Sequence, residues 1–244
     1  MKKFGLIGFP LSHSFSKKYF LEKFQKENIQ NCEYELYPIE SISELPALID
    51  RIGSELVGLN VTIPYKNAVI PYLDELSIEA ESIHAVNTIL FKSGKKYGFN
   101  TDIPGFEDCL LSFIPEKCKH ALIFGNGGAA RAVKYVLEKN KIDFTVVSRT
   151  AYEHQISYSD ITSTTLKGSK LIINTTPLGM YPKVDTFPEI DYSFISKDHY
   201  LFDLVYNPAK TLFLQKGEKQ SAHIMNGLPM LIGQAEASWK IWNT

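Results

Sequence analysis

Cysteine is scarce: Cys32, Cys109 and Cys118 are the only three in 244 residues, far apart and without a Cys-x-x-Cys spacing or histidine-rich company. Neither a disulfide framework nor a zinc site is indicated, and three reduced thiols are expected. An excess of one charge is lacking too. Lys and Arg number 26 against 27 Asp and Glu, a formal net charge of −1, with no long run of either sign. An extended nucleic-acid or membrane surface is therefore not expected, and any bound anion must be held by local groups. Long apolar runs are missing as well. The opening MKKFGLIGFPLSHS has two lysines and a short apolar stretch, but Gly, Pro and polar residues interrupt it too soon for a secretory signal, and nothing later approaches a membrane span. Internal repeats and low-complexity segments are absent. The expected setting is the cytoplasm.

What is present suits an ordinary globular protein: 44% hydrophobic and 12% aromatic residues supply a core for one large domain or two small ones. The apolar run from Phe4 to Gly8 reads as a strand, SFSKKYFLEKFQKEN as an amphipathic helix and CEYELYPI, Cys32 to Ile39, as an alternating strand, together a βαβ unit. SISELPALIDRIG opens with Ser-x-x-Glu, Ser41 to Glu44, the signature of a capping box ahead of a helix, and LVGLNVT, Leu56 to Thr62, is the next strand. AVNTILFKSGKKYGFNTD places two extended pieces around Ser-Gly-Lys-Lys, predicting a hairpin that ends at Asp102. The pattern then restarts. Pro104 leads a helix that Pro115 ends, and ALIFGNGGAARAVKYVLEKNKIDFTVVSRT holds strand, glycine turn, helix and strand within about 30 residues, the size of a dinucleotide-binding βαβ. KLIINTTPLGM and YLFDLVYNP read as strands of a parallel sheet covered on both faces, and GLPMLIGQAEASWKIW as a Pro-started helix. The predicted class is α/β, with two α/β domains meeting near Asp102 and a cleft between them.

Gly125, Gly127 and Ala130 fit Gly-x-Gly-x-x-Ala directly after one predicted strand and directly before a helix. The first glycine permits the tight turn, the second lets backbone approach a pyrophosphate, and the small third residue allows close helix–strand packing. About 20 residues further on, where an NAD enzyme usually carries an acid for the ribose hydroxyl, this chain has VVSRT with Arg149 and no Asp or Glu. A guanidinium there suits the 2′-phosphate of NADP, which an acid would repel.

The first domain supplies the polar groups. In NVTIPYK an apolar strand runs into Thr62 and then places Lys66 where a helix is expected to begin, against the helix dipole, which invites a functional reason and predicts a lowered pKa. Asp102, ending GFNTD, is placed to pair with it, and reads equally as a helix cap. Ser12, Ser14 and Ser16 in SHSFS share one face if extended; Ser14 and Ser16 read as carboxylate donors or as helix caps, and His13 as a structural or surface histidine. Asn87 in HAVNT, Thr62 and Gln234 in LIGQAEA are uncharged hydrogen-bonding groups in apolar surroundings, and Tyr206 in LVYNP is either a core aromatic or a ligand contact.

In order and rough spacing, SHSFS, NVTIPYK, HAVNT, GFNTD, GNGGAAR, SRT, NTTPLGM, DLVYNP and GLPMLIGQA resemble the shikimate dehydrogenases over essentially the whole chain. The resemblance implies NADPH-dependent reduction of 3-dehydroshikimate to shikimate. It implies an N-terminal substrate-binding domain of residues 1–102 plus 222–244, a Rossmann-type NADP-binding domain of residues 103–221, and a last helix returning to the first domain. By the same comparison Lys66 and Asp102 are the catalytic pair, Ser14 and Ser16 bind the substrate carboxylate, and Thr62, Asn87 and Gln234 hold its ring hydroxyls. Tyr206 lies near the carboxylate or the cofactor ring. Gly125, Asn126, Gly127, Gly128, Ala129 and Ala130 receive the pyrophosphate, Ser148, Arg149 and Thr150 the 2′-phosphate end, and Thr175, Thr176 and Gly179 the nicotinamide region, with Gly227 on the cofactor side and at a hinge. The implied partner is the small-molecule substrate, the implied assembly a monomer or homodimer, and no metal is implied. Two departures stand out: Ser148 replaces the asparagine usual before Arg149, and no second basic residue follows in SRTAYEH. A quinate-using relative, with NAD or NADP, and a non-catalytic NADP-binding regulator are the alternative readings.

Overall fold

Alternation in KKFGLIG makes β1 (Lys2–Gly8) a two-faced strand, sending Phe4 and Leu6 into one apolar cluster and Ile7 into another. Around it the computed structural model, which describes residues 1–11, 14–116, 118–150 and 155–244, forms two compact units, Met1–Thr101 with Ala235–Thr244, and Asp102–Gln234.

In the first unit β1 is followed by α1 (Ser16–Lys26), β2 (Cys32–Pro38), α2 (Leu45–Ile52), β3 (Leu56–Val61), β4 (Glu75–Leu76), α3 (Ile78–Ser82), β5 (Thr88–Lys92) and β6 (Lys95–Phe99). Their six-stranded sheet has the order β2-β1-β3-β5-β6-β4. β1 runs parallel to β2 and β3, while β3–β5 and β5–β6 are antiparallel. The hairpin turn is Ser93-Gly94, with φ of 53° and 75°; two consecutive positive values match the strand twist and favour glycine. The Ser41–Glu44 capping box is present, closing a short 3₁₀ turn that leads into α2. On one sheet face Leu45 and Leu48 of α2 pack with Ile7, Leu59, Val61 and Ile89. On the other, Phe20 and Phe24, one helical turn apart on α1, meet Phe4, Tyr34 and Trp242, with the Phe20 and Tyr34 rings stacked 4.4 Å apart. Gly58 is required here: a Cβ would fall 2.1 Å from the indole nitrogen of Trp242, which donates to the Ile89 carbonyl at 2.9 Å.

The second unit contains α4 (Asp102–Phe113), β7 (His120–Phe124), α5 (Gly128–Lys139), β8 (Asp143–Val147), β9 (Gln155–Ile156), α6 (Ser163–Gly168), β10 (Leu171–Asn174), β11 (Tyr200–Asp203), α7 (Leu212–Lys219) and β12 (His223–Met225). α8 (Leu228–Trp242) begins in this unit and ends in the first. In the first unit its later turns are fastened to α1: the Lys23 ammonium, 8% exposed, meets Glu236 at 2.9 Å and Glu27 at 2.8 Å, and the Tyr19 hydroxyl donates to Glu236. The second sheet, β12-β11-β10-β7-β8-β9, is parallel throughout. From β7 the chain winds outward through β8 and β9, then returns to β10 and winds the other way, so β7 and β10 flank the topological switch point. Their apolar runs are fully buried because helices cover both faces of such a sheet.

Two expectations differ. Lys66 does not start a helix: one turn closes from Val69 N–H to the Tyr65 carbonyl at 2.9 Å, and the chain passes at once into a 3₁₀ turn, Ile70–Tyr72. Pro71 explains this, since it has no N–H to donate back to the Asn67 carbonyl and continue the helix, while one turn suffices to bury Tyr65 and Val69. The hairpin ends at Phe99 rather than Asp102, which is instead the first residue of α4, two residues ahead of Pro104. His223–Met225 pairs with β11 as an edge strand of the second sheet, and the second unit runs to Gln234. Among the described residues no helix is long and apolar enough to cross a membrane.

Candidate active site

At the switch point Gly125 leaves β7 with φ of +98°, a conformation that side chains resist, and a Cβ there would also fall 2.8 Å from Thr175 Oγ1 and 2.9 Å from Thr176 Cγ2. Its N–H donates to the Val147 carbonyl at 2.9 Å, tying the turn to β8. Gly127 and Gly128 face open space, with nothing within 4 Å of where a Cβ would stand, and Gly128 opens the 12-residue α5. Amide N–H groups at that helix start, unshielded by side chains, fit a pyrophosphate. Ala129 is half-buried and Ala130 fully buried, as close packing requires, while Asn126 is exposed and accepts from Lys134 Nζ at 3.0 Å. Arg149 and Thr150 are exposed just past β8, and the Ser148 hydroxyl lies 2.6 Å from the Thr150 carbonyl and 2.9 Å from Gln155 Oε1, bracing that turn. Burial raises the Tyr158 pKa, and the Arg149 charge opposes that shift. The open amides at the start of α5 and an exposed arginine just past β8 together fit NADP.

The loops after β10 and β11 are held from beneath by a buried carboxylate. Asp203 is fully buried; its Oδ1 accepts from Asn174 Nδ2 at 2.9 Å and from the Val205 N–H at 3.0 Å, and its Oδ2 from the Thr211 hydroxyl at 2.5 Å. Asn174 in turn accepts from the Thr176 hydroxyl at 2.6 Å and its N–H at 3.1 Å. Burial pushes the Asp203 pKa up to about 6, against the opposing effect of these donors. Thr175 is pinned to the Phe124 carbonyl through its N–H at 2.9 Å and its hydroxyl at 2.7 Å. Gly179, at φ +86°, donates to Thr186 Oγ1 at 2.9 Å. Tyr206 follows Val205, half-buried, its phenol pKa raised by burial. Gly227 is buried, and a Cβ would fall 2.0 Å from the Leu204 carbonyl, so close backbone packing accounts for glycine there. Gln234 is half-buried on α8 and donates to the Leu231 carbonyl at 2.9 Å.

In the first unit, sequence-distant groups gather around residues 86 and 87. The Lys66 carbonyl accepts from the Val86 N–H at 2.7 Å, and Asn87 Oδ1 accepts from the Thr101 N–H at 2.7 Å. Thr62, half-buried, donates its N–H to the Ile7 carbonyl at 2.9 Å, and its methyl packs against Gly8. Lys66 and Asp102 are both half-buried. Ser14 Oγ accepts from the Ser16 N–H at 3.3 Å, while the capping position of α1 belongs to Phe15 and carries no side-chain cap. Ser12 and His13 lie outside the described residues.

Sequence reasoning passed over Asn60, Thr88, Thr101, Asn174, Asp203 and Ser238, all buried. Asn60, Asn174 and Asp203 did carry a signal, each being a polar residue at the end of an apolar strand, where burial obliges it to find partners.

Comparison with known proteins finds relatives over nearly the whole chain. Residues 6–89 match the family model of the shikimate dehydrogenase substrate binding domain. The shikimate dehydrogenase (NADP(+)) of Clostridium beijerinckii is 40% identical over 254 residues, covering 99% of this chain and 92% of that protein. A crystal structure of a shikimate dehydrogenase in complex with NADP+ superposes with a TM-score of 0.87 at 35% identity, covering 99% of this chain and 90% of the other. The shikimate 5-dehydrogenase of Thermus thermophilus, solved in complex with NADP(H) and shikimate, gives 0.87 at 29% identity, with coverage of 99% and 93%.

Proposed function

The chain belongs to the shikimate dehydrogenase family, and from that premise we propose that it reduces 3-dehydroshikimate to shikimate with NADPH, a step of chorismate and aromatic amino-acid biosynthesis. Bound NADPH supplies the hydride. The remaining work falls to side chains: orienting the ring, stabilising charge that develops on the ketone oxygen, and delivering a proton. Lys66 is the donor to that oxygen and Asp102 the second member of the catalytic pair. Ser14 and Ser16 hold the carboxylate, Thr62, Asn87 and Gln234 the ring hydroxyls, with Tyr206 beside them. Residues 1–102 with 222–244 form the substrate side and residues 103–221 the cofactor side. In the other unit Gly125 to Ala130 hold the pyrophosphate, Ser148, Arg149 and Thr150 the 2′-phosphate end, Thr175, Thr176 and Gly179 the nicotinamide end, and Gly227 shapes the adjoining loop.

One observation carries this reading. Consecutive residues Val86 and Asn87 bind the backbone of Lys66 and the amide of Thr101, each at 2.7 Å, so the lysine and the residue preceding Asp102 are registered against one short segment that also bears Asn87. Lys66→Ala is expected to lower kcat by about 10²- to 10⁴-fold with little change in KM, and near-wild-type turnover rejects the role. The companion measurement follows NADPH absorbance with shikimate or quinate and with either nucleotide; oxidation of quinate with NAD+ as fast as shikimate with NADP+ overturns the substrate assignment. On its balanced charge and separated cysteines we place the protein in the cytoplasm, as a monomer or homodimer. Size-exclusion chromatography distinguishes the two.

A further inference from the structure

We propose that Lys134, on α5, is a phosphate-binding residue of the dinucleotide site, its ammonium held ready on the Asn126 carboxamide of the glycine turn. The proposal rests on the NADP site described above and adds to it a cation that neither the glycine motif nor Arg149 includes.

The argument is one of misplaced charge. Lys134 lies half-buried in the second turn of the 12-residue α5, and its Nζ is 3.0 Å from Asn126 Oδ1, so the side chain runs back along the helix to the residue between Gly125 and Gly127. That is the end where the helix dipole opposes a cation. No acid in the first turn of α5 offsets it, and Arg131 adds a second cation to the same stretch. Glu138, four residues further along the same flank, is the ordinary partner for such a lysine, yet among the described residues no ion pair joins the two. Lys139, by contrast, stands in the last turn, where the dipole favours it, and meets Glu107 at 2.7 Å. Lys134 is thus an ammonium at the unfavourable end of its helix, held among the described residues by one neutral oxygen. A phosphate at the turn makes the same placement favourable.

Two phosphate positions adjoin that ammonium. Gly127 and Gly128, the next residues after Asn126, carry the open amides assigned to the pyrophosphate. Gly125, the residue before it, donates to the Val147 carbonyl at 2.9 Å, which brings the turn to the strand end leading into Ser148 and Arg149, assigned to the 2′-phosphate. The residues between β8 and β9, SRTAYEH, include no Lys or Arg besides Arg149, so that segment offers a phosphate a single permanent cation. Asn126 is exposed, so water takes the place of the ammonium on Oδ1 when Lys134 turns to a phosphate, and a neutral partner is exchanged for an anionic one.

Titration calorimetry of the full chain with NADP+ and with NAD+ tests this without turnover. Lys134→Met, which keeps an unbranched stem and removes the charge, is expected to lower NADP+ affinity about tenfold and to weaken its dependence on salt, with Lys134→Arg restoring most of both. A matching fall for NAD+ assigns the ammonium to the pyrophosphate; a fall confined to NADP+ assigns it to the 2′-phosphate. Lys219→Met, at an exposed position in the last turn of α7, makes the same change in net charge and is expected to leave both affinities as they are. Affinities for both nucleotides unchanged by Lys134→Met, a fall that Lys134→Arg does not restore, or an equal fall in Lys219→Met overturns the proposal. Wild-type protein that is inert towards shikimate, yet binds NADP+ more tightly than Lys134→Met does, sinks the assigned reaction while the role of Lys134 stands.

Discussion

In the first unit the buried polar groups near the strand ends, Asn60, Asn87, Thr88, Thr101 and Ser238, are all neutral amides and hydroxyls, whereas in the second the corresponding network closes on one carboxylate, Asp203. The neutral network satisfies itself at any pH. The second gathers three donors on one group beneath the loops after β10 and β11, but burial disfavours the ionised carboxylate, so that hold depends on its protonation. A neutral network suits a surface that must recognise hydroxyls with fixed polarity; one closed on a titratable group makes the hold on the loops beside the glycine turn vary with pH.

The comparison breaks most visibly if the carboxylate is removed. Asp203→Ala strands the Asn174 amide, the Val205 N–H and the Thr211 hydroxyl, and is expected to cost about 3 kcal/mol or more in urea unfolding, against about 2 kcal/mol for Asn60→Ala in the other unit. The first change is expected to weaken NADP+ binding and the second to raise the KM for shikimate; equal costs, or both variants affecting the same ligand, would erase the distinction. A smaller effect is expected at the exposed end of the second unit. Arg149→Ala should weaken NADP+ binding by about tenfold to a hundredfold while leaving NAD+ almost unaffected, and should flatten the salt dependence of NADP+ affinity, measured by titration calorimetry.

The smallest expected effect is the pH dependence of stability. The folded pKa of Asp203, about 6, lies above its ordinary value of 3.8. Its contribution is therefore fully present below pH 3.8 and lost as pH rises through about 6, a change of about 1 kcal/mol between pH 5 and 7. His199, buried in the same unit with its pKa lowered from 6.5 by burial, acts in the opposite sense, favouring the fold above that value and losing its effect as pH falls. The difference between wild type and Asp203→Asn isolates the carboxylate: the gap in unfolding free energy should change across pH 5 to 7, and a constant gap refutes the perturbed titration.

The second unit was the more legible in sequence. A strand of continuous apolar residues, two glycines at fixed spacing and a helix are local signals, and β7, the Gly125 turn and α5 lie where they point. The hairpin at Ser93-Gly94 and the Ser41–Glu44 capping box were legible for the same reason. The expected helix at Lys66 was not realised, because Pro71 lies five residues beyond the lysine and governs where the turn must stop. β9 and β12, of two and three residues, are too short to carry a period and exist only through the neighbours they pair with. The neutral network was hidden by distance along the chain: Asn60 and Ser238 are 178 residues apart, and an isolated serine in an amphipathic helix gives no hint of which strand it will face.

Gly58 leaves room for Trp242, and that indole closes the core of the first unit from the far end of the chain. On the ribosome, residues 235–244 emerge only after the entire second unit has been made. The amino-terminal sheet must therefore wait with an open hydrophobic notch while the later-translated unit is already able to fold, inverting the usual order of vectorial folding. A premature stop in the final turns of α8 would leave a dinucleotide fold intact beside a sheet without its last wedge, and such a product is expected to be captured by chaperones through its amino-terminal half.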